Sequence, residues 1–327
     1  MEENRDIICV GASAGGVEAL SELVAGLPPD LPAATFIVQH MSPDATSMLP
    51  DILGRRGPLK ATLALHGEAI VPGRIYVAPP DNHLMVRPGY LNVVRGPREN
   101  GNRPAVDALF RTASKSYGPR VIGVVLTGHL DCGTAGLLSI KARGGVAIAQ
   151  DPLEAAVPAM PRSAITHVAV DHVAPVRELP ALIARLVREP AGAWPPQLQR
   201  ALAGLEGDEL GAPADIVCPL CQGTLTTTRI NDFHLFRCHV GHAFSHTSVA
   251  AEQAEALEQS LWAATRALEE SARTAHRMAM SASGDFRERL LEKAKAQTQQ
   301  ARMVRAIMDR GALARADATD VSPASTR

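Results

Sequence analysis

With 327 residues, 46% of them apolar, the chain is long enough for an α/β domain of ordinary size and a smaller unit beside it. Its 33 basic and 34 acidic residues leave a formal charge of −1, and no local basic patch stands out, which argues against a nucleic-acid partner. The acidic start MEENRD, the lack of any apolar run of spanning length and five unevenly placed cysteines argue against a secretory leader, direct membrane insertion and a disulfide framework. A reducing cytoplasm is the expected location.

From Ile7 onward, short apolar runs rich in β-branched residues alternate with helical stretches, the pattern of a doubly wound, mostly parallel α/β sheet of Rossmann-like type. Strands are predicted at Ile7–Gly11, Thr35–Gln39, Arg74–Val77, Val121–Leu126, Val146–Gln150 and His167–Val170. Leu84–Arg87 and Leu91–Arg95, joined by Pro88-Gly89, predict an antiparallel hairpin inserted in that order. This domain is expected to span residues 1–189. Prolines and glycines over 190–214 then read as a linker. A metal-binding module follows at 215–246, and a helical hairpin at 247–312 broken near Ser281–Gly284. A disordered tail is expected over 313–327, giving way from about Arg315.

The first segment with chemistry is IICVGASAGGVEAL. Gly11-Ala12-Ser13-Ala14-Gly15 has the spacing of a nucleophile elbow between a buried strand and a helix, whose N-terminus favours developing negative charge. Glycine-rich turns of this kind also hold dinucleotide phosphates, but the next strand ends in Gln39-His40 rather than in an acid that would bind a ribose. In a doubly wound sheet both strand ends face one crevice. Ser13 as nucleophile and His40 as general base, hydrogen-bonded to each other, is therefore the expectation. A lone histidine more often only caps a strand end, so the pairing carries the argument rather than either residue.

The ordered motifs GASAGGVEAL, VQHMSPD, IYVAPPDNHL, RPAVDALFRTAS, VIGVVLTG and GLLSIKARGGVAIAQDP, with the Met160-Pro161 pair, resemble the catalytic domain of CheB protein-glutamate methylesterases over roughly residues 5 to 188. The resemblance implies a chemotaxis hydrolase in which Ser13 attacks the methyl ester of a glutamate on a chemoreceptor helix, His40 acts as base and a carboxylate orients His40. It also implies glutamine deamidation by some members, no cofactor for catalysis, and methylated cytoplasmic receptor helices as partners. A methyltransferase or a separate response regulator are further candidates. With the first strand at Ile7, no receiver domain is expected ahead of it. Arg103, Pro104 and Asp107 match the family's substrate-facing segment; a helix cap and surface charge are the plainer reading of Arg103 and Asp107.

The stretch LTGHLDCGTAGL departs from that pattern, because the family places an acid immediately before the glycine and here Cys132 precedes Gly133. Three readings stay open. Asp131 takes the acid's role, Cys132 supports His40 and gives a slow enzyme, or the fold is a binding or regulatory protein with impaired hydrolysis. Loss of an orienting carboxylate in a serine triad costs on the order of ten-thousandfold in turnover. His129 stands where the family has a methionine whose backbone amide serves the oxyanion, a role indifferent to the side chain.

Cys218-Pro219-Leu220-Cys221 and Cys238-His239-Val240-Gly241-His242 have the layout of a structural zinc site. Cys218, Cys221 and Cys238 leave the fourth place to His242 or His239. His242 is preferred because three intervening residues let the chain return to the ion. Leu257, Leu261 and Leu268 then mark one stripe of a helix.

Overall fold

The computed structural model describes residues 3–195, 211–230 and 232–319, with the backbone alone over 311–319. The chain forms two units, Met1–Ala250 and Ala251–Arg327.

The first unit is built on the strands β1 (Ile7–Ala12), β2 (Ala34–Gln39), β3 (Lys60–Leu63), β4 (Arg74–Val77), β5 (His83–Arg87), β6 (Tyr90–Val94), β7 (Val121–Val125), β8 (Val146–Gln150) and β9 (His172–Ala174). Seven of them form a parallel sheet in the order β3-β4-β2-β1-β7-β8-β9, while β5 and β6 pair as the antiparallel hairpin. Every residue of β1, β2, β7 and β8 is buried, as expected where helices cover both faces of a parallel sheet. On one face α1 (Gly16–Ala25), α2 (Leu49–Arg56) and α6 (Leu179–Leu186) pack Leu20, Leu23, Leu53 and Ile183 against Ile8 and Val10. On the other, α3 (Val106–Tyr117), α4 (Thr134–Ala142) and α5 (Ala159–His167) pack Phe110, Leu137 and Met160 against Cys9 and Phe36. The strand order reverses at β1 and β7, which opens a crevice at their carboxyl ends.

Two local expectations change. The segment predicted as the strand His167–Val170 is instead the end of α5 and an unpaired stretch, and the edge strand β9 starts at His172 in register with Ile148. Buried Met160 and Ala164 give α5 an apolar stripe, which decides for helix as far as His167. The strand β3 has no counterpart in the sequence reading; it is four residues long, at the sheet edge and largely half-buried, so no apolar run marks it.

Beyond α6, Pro190 bridges to Asn4 and Trp194 covers the backbone of Gly118. The rest of the expected linker, 196–210, lies outside the described residues. Its end does not: Ala212 already begins β10 (Ala212–Val217), which joins β11 (Thr224–Ile230), β12 (Phe233–Cys238) and β13 (Ala243–Ser245) in an antiparallel sheet. A small core of Leu225, Phe236, Phe244 and Val249 lies under it. The helix α7 (His246–Met280) starts directly after β13.

In the second unit α7 and α8 (Gly284–Thr319) form the expected helical hairpin, with Ala275, Ala279 and Leu290 buried between them. Glu269 pairs with Arg305 at 2.6 Å, and the Gln297 amide donates to Ser271 at 2.8 Å. α8 continues past Arg315 to Thr319, and 320–327 lie outside the described residues. Among the described residues no helix is long and apolar enough to cross a membrane.

Candidate active site

Ser13 follows β1 and His40 follows β2, and the parallel register Ala12↔Gln39 brings these two positions side by side at the strand ends. The elbow is held from three sides. Ser13 N donates to Thr127 O at 2.9 Å, Gly16 N donates to Ser13 O at 2.9 Å, and Gln39 Nε2 donates to Ser13 O at 2.7 Å. The same Gln39 amide donates to His40 O at 3.0 Å, so one buried side chain fixes both loops. Gly15, at φ 74°, adopts the left-handed conformation that starts α1. Gly128 is required for a different reason: a Cβ there would lie 2.1 Å from Met160 Sδ and 2.7 Å from Ser13 Cβ. Thr127 locks the neighbouring loop, its hydroxyl donating to Ala14 O at 2.9 Å and accepting from Val157 N at 2.8 Å.

His40 keeps part of its surface open, but its Nε2 is buried without a hydrogen-bond partner, and no direct bond joins it to Ser13. Burial of the ring lowers its pKa to about 4. Cys132 is buried, and its thiol is pushed well above the ordinary range, by burial first and by the nearby Asp107 carboxylate second. The backbone amides of Asp107 and Val106 and the Asn100 side chain act on the sulfur in the opposite sense.

Asp131 is buried too, but its Oδ1 accepts from Ser245 Oγ at 2.7 Å and from Ser248 Oγ at 3.0 Å, and no hydrogen bond links it to His40. The charges of Arg103 and Asp107 are also answered inside the protein. The Arg103 guanidinium donates to Asp81 through Nε at 2.8 Å and Nη2 at 2.5 Å, and to Gly96 O at 2.7 Å. Asp107, 3% exposed, accepts from Gly136 N at 2.6 Å and from Asn100 Nδ2 at 2.7 Å; burial raises its pKa to about 6. His129 is exposed on the turn.

Sequence reasoning missed Gln39 as a bridge, and Asn100, Ser245 and Ser248 altogether. Asp131 bonds the two serines across 114 and 117 positions, so no local spacing betrays the contact.

A second cluster lies in the four-stranded sheet. Cys218, Cys221, Cys238 and His242 bring their ligand atoms within 4.8 Å of one another, a possible metal site. His242 Nδ1 is 3.7 Å from Cys218 Sγ and 3.5 Å from Cys238 Sγ, and Cys221 and Cys238 sulfurs are 3.7 Å apart.

Residues 8–183 match the family model described as CheB methylesterase. A protein-glutamate methylesterase/protein-glutamine glutaminase 2 of Anaeromyxobacter dehalogenans is 39% identical over 183 residues, 56% of this chain and 54% of that protein. A Leptospira interrogans relative is 39% identical over 184 residues, 56% of this chain and 95% of that protein. The solved CheB methylesterase catalytic domain of Thermotoga maritima superposes with a TM-score of 0.55 at 33% identity, over 57% of this chain and all of that one. The chain spans about half the length of the first curated relatives it matches. With the family model covering more than half of the chain, the elbow that carries Ser13 included, the chain belongs to the CheB methylesterase family.

Proposed function

We propose that the protein is a protein-glutamate methylesterase acting on methylated helices of cytoplasmic chemoreceptors, with glutamine deamidation as a second reaction of the same site. The observation that carries this reading is the placement of Ser13 beside His40 at the ends of adjacent strands, with Gln39 bonded to both. Ser13 Oγ attacks the ester carbonyl while His40 takes its proton; the carbon becomes tetrahedral, and its oxyanion faces the His129 amide beside Gly128. His40 then returns the proton to the leaving methoxide, which departs as methanol. Water then attacks the Ser13 ester as His40 takes its proton, and His40 returns that proton to Ser13 Oγ as the acyl–oxygen bond breaks and the glutamate is freed. A direct Ser13–His40 bond missing in the free state is compatible with this, because such bonds commonly tighten only around substrate.

Slow turnover is the expectation. Among the described residues His40 has no carboxylate partner, and without one its buried ring is a weak base. The same observation favours a second reading, a binding or regulatory protein that has kept the fold. Methanol release from a methylated receptor fragment decides between them. The esterase reading expects release that Ser13→Ala abolishes and Cys132→Asp raises by tenfold or more, roughly. A silent wild type that Cys132→Asp awakens establishes the second reading instead, and loss of all release in Asp131→Asn places Asp131 in the triad.

The four-ligand cluster fits structural zinc. With Zn–S near 2.3 Å and Zn–N near 2.05 Å, a tetrahedron has S–S edges of about 3.8 Å and S–N edges of about 3.6 Å. The separations of 3.5 to 3.7 Å support that geometry. An ion held by four protein ligands has no open position for water, so it supplies structure rather than catalysis. Cys218 and Cys221 would hold it from one turn, Cys238 and His242 from the other.

A further inference from the structure

We propose that Asn100, Ser245 and Ser248 are positioning residues for the esterase site: through Asp131 and Asp107 they brace the turn 129–133 in the shape the reaction uses. The proposal rests on the reading of Ser13 as nucleophile. All five side chains are buried, each no more than 5% exposed, and they form one connected network. Ser245 caps α7, its hydroxyl accepting from Ser248 N at 2.9 Å, and both serines present hydroxyls to Asp131. A carboxylate at the first turn of a long helix is further favoured by the free amides there. On the other side Ser245 N donates to Asn100 Oδ1 at 2.8 Å, and Asn100 Nδ2 passes the link to Asp107, which holds the start of α4 through Gly136 N. Backbone bonds seal the junction: Asn100 N donates to Ala243 O at 2.7 Å, and Ala243 N to Arg98 O at 3.3 Å.

The turn needs an outside hold. Leu130 sits at φ 59°, a left-handed conformation that a leucine does not choose. Asp131 lies between the two positions the proposed reaction depends on, the amide of His129 two residues before it and the triad position at Cys132 next to it. Releasing Asp131 therefore loosens both. Sub-ångström to ångström displacements of such groups cost up to about a hundredfold in rate.

The test uses the full-length chain and two readouts, the rate at which a fluorophosphonate labels Ser13 and amide hydrogen exchange over 128–136. Ser245→Ala/Ser248→Ala and Asp131→Ala are expected to slow labelling by about tenfold to a hundredfold and to speed exchange in that segment. Asp131→Asn, which keeps an acceptor oxygen for the hydroxyls, recovers most of the loss. The single Ser248→Ala gives a smaller effect in the same direction, should the double variant fold poorly. Unchanged exchange and labelling in the serine variants overturn the brace. Asp131→Asn as damaging as Asp131→Ala overturns it in favour of a charged triad role. A wild type that never labels removes the nucleophile reading, and any faster exchange in the variants then reports a structural link alone, which also overturns the positioning role.

Discussion

His40 shows what one replacement does to a site. In the proposed triad an acid at position 132 would stabilise the protonated imidazole and hold it toward Ser13; with Cys132 there, burial lowers the His40 pKa to about 4. The imidazole is therefore neutral above about pH 4, the form that the proposed base role needs. The acid limb of kcat/KM for methyl-ester hydrolysis is expected near pH 4, and in Cys132→Asp it should move up toward the ordinary histidine range, as the restored charge favours imidazolium. A wild-type limb near 6.5 would show that His40 is not the buried base described. Asp107 titrates in the opposite direction: burial raises it to about 6, so it ionises only as the pH climbs through that value, above the range where an exposed aspartate has already done so.

At the scale of elements, the parts of the site that were legible in the sequence are those whose cause is local. The strand IICVGA with a glycine-rich turn behind it gives an elbow wherever it is buried, and paired cysteines closing tight turns give a knuckle of four candidate metal ligands. The edge strand Lys60–Leu63 and the end of α5 were not legible, since half-buried edge residues lack a period and the choice at His167 was made by packing of Met160 and Ala164. The hold on Asp131 was not legible either, because its partners lie 114 and 117 positions away. The knuckle and that hold are neighbours in the chain: His242 precedes Ala243 and Ser245, whose backbones bond Arg98 and Asn100. Treatment with a strong chelator is thus expected to lower the melting temperature and to speed amide exchange over 128–136 together, with both restored by added zinc. A melting temperature indifferent to chelation would argue that no ion supports this sheet.

For the whole first unit, the four-stranded sheet is a covering layer rather than a tethered appendage. Phe233 and Leu235 bury Ala135 of α4, and the ring of Phe233 meets His167 edge-on at 5.5 Å. The Glu99–Arg111 pair, with two guanidinium bonds of 2.9 and 2.5 Å, is sealed under the same layer, and burial notwithstanding, Arg111 holds the Glu99 carboxyl down to about 2. Without that layer an apolar patch and several polar groups of the esterase domain would face water. A chain cut after Trp194 is expected to melt at least about 5 °C lower than residues 1–250, in line with a loss of a few kcal/mol, and to aggregate more readily. Equal melting temperatures would show that the covering contacts contribute nothing.

The depth of Cys132 has a use at the bench. Cys9 and Cys132 are buried thiols, both raised by burial, so across the neutral range they stay protonated and out of reach of a thiol-modifying reagent in the folded protein. The other three cysteines all belong to the knuckle. With the proposed ion bound, these three thiols are held as ligands and are expected to react slowly; chelation is expected to raise reagent uptake, first at Cys221, the exposed one of the three.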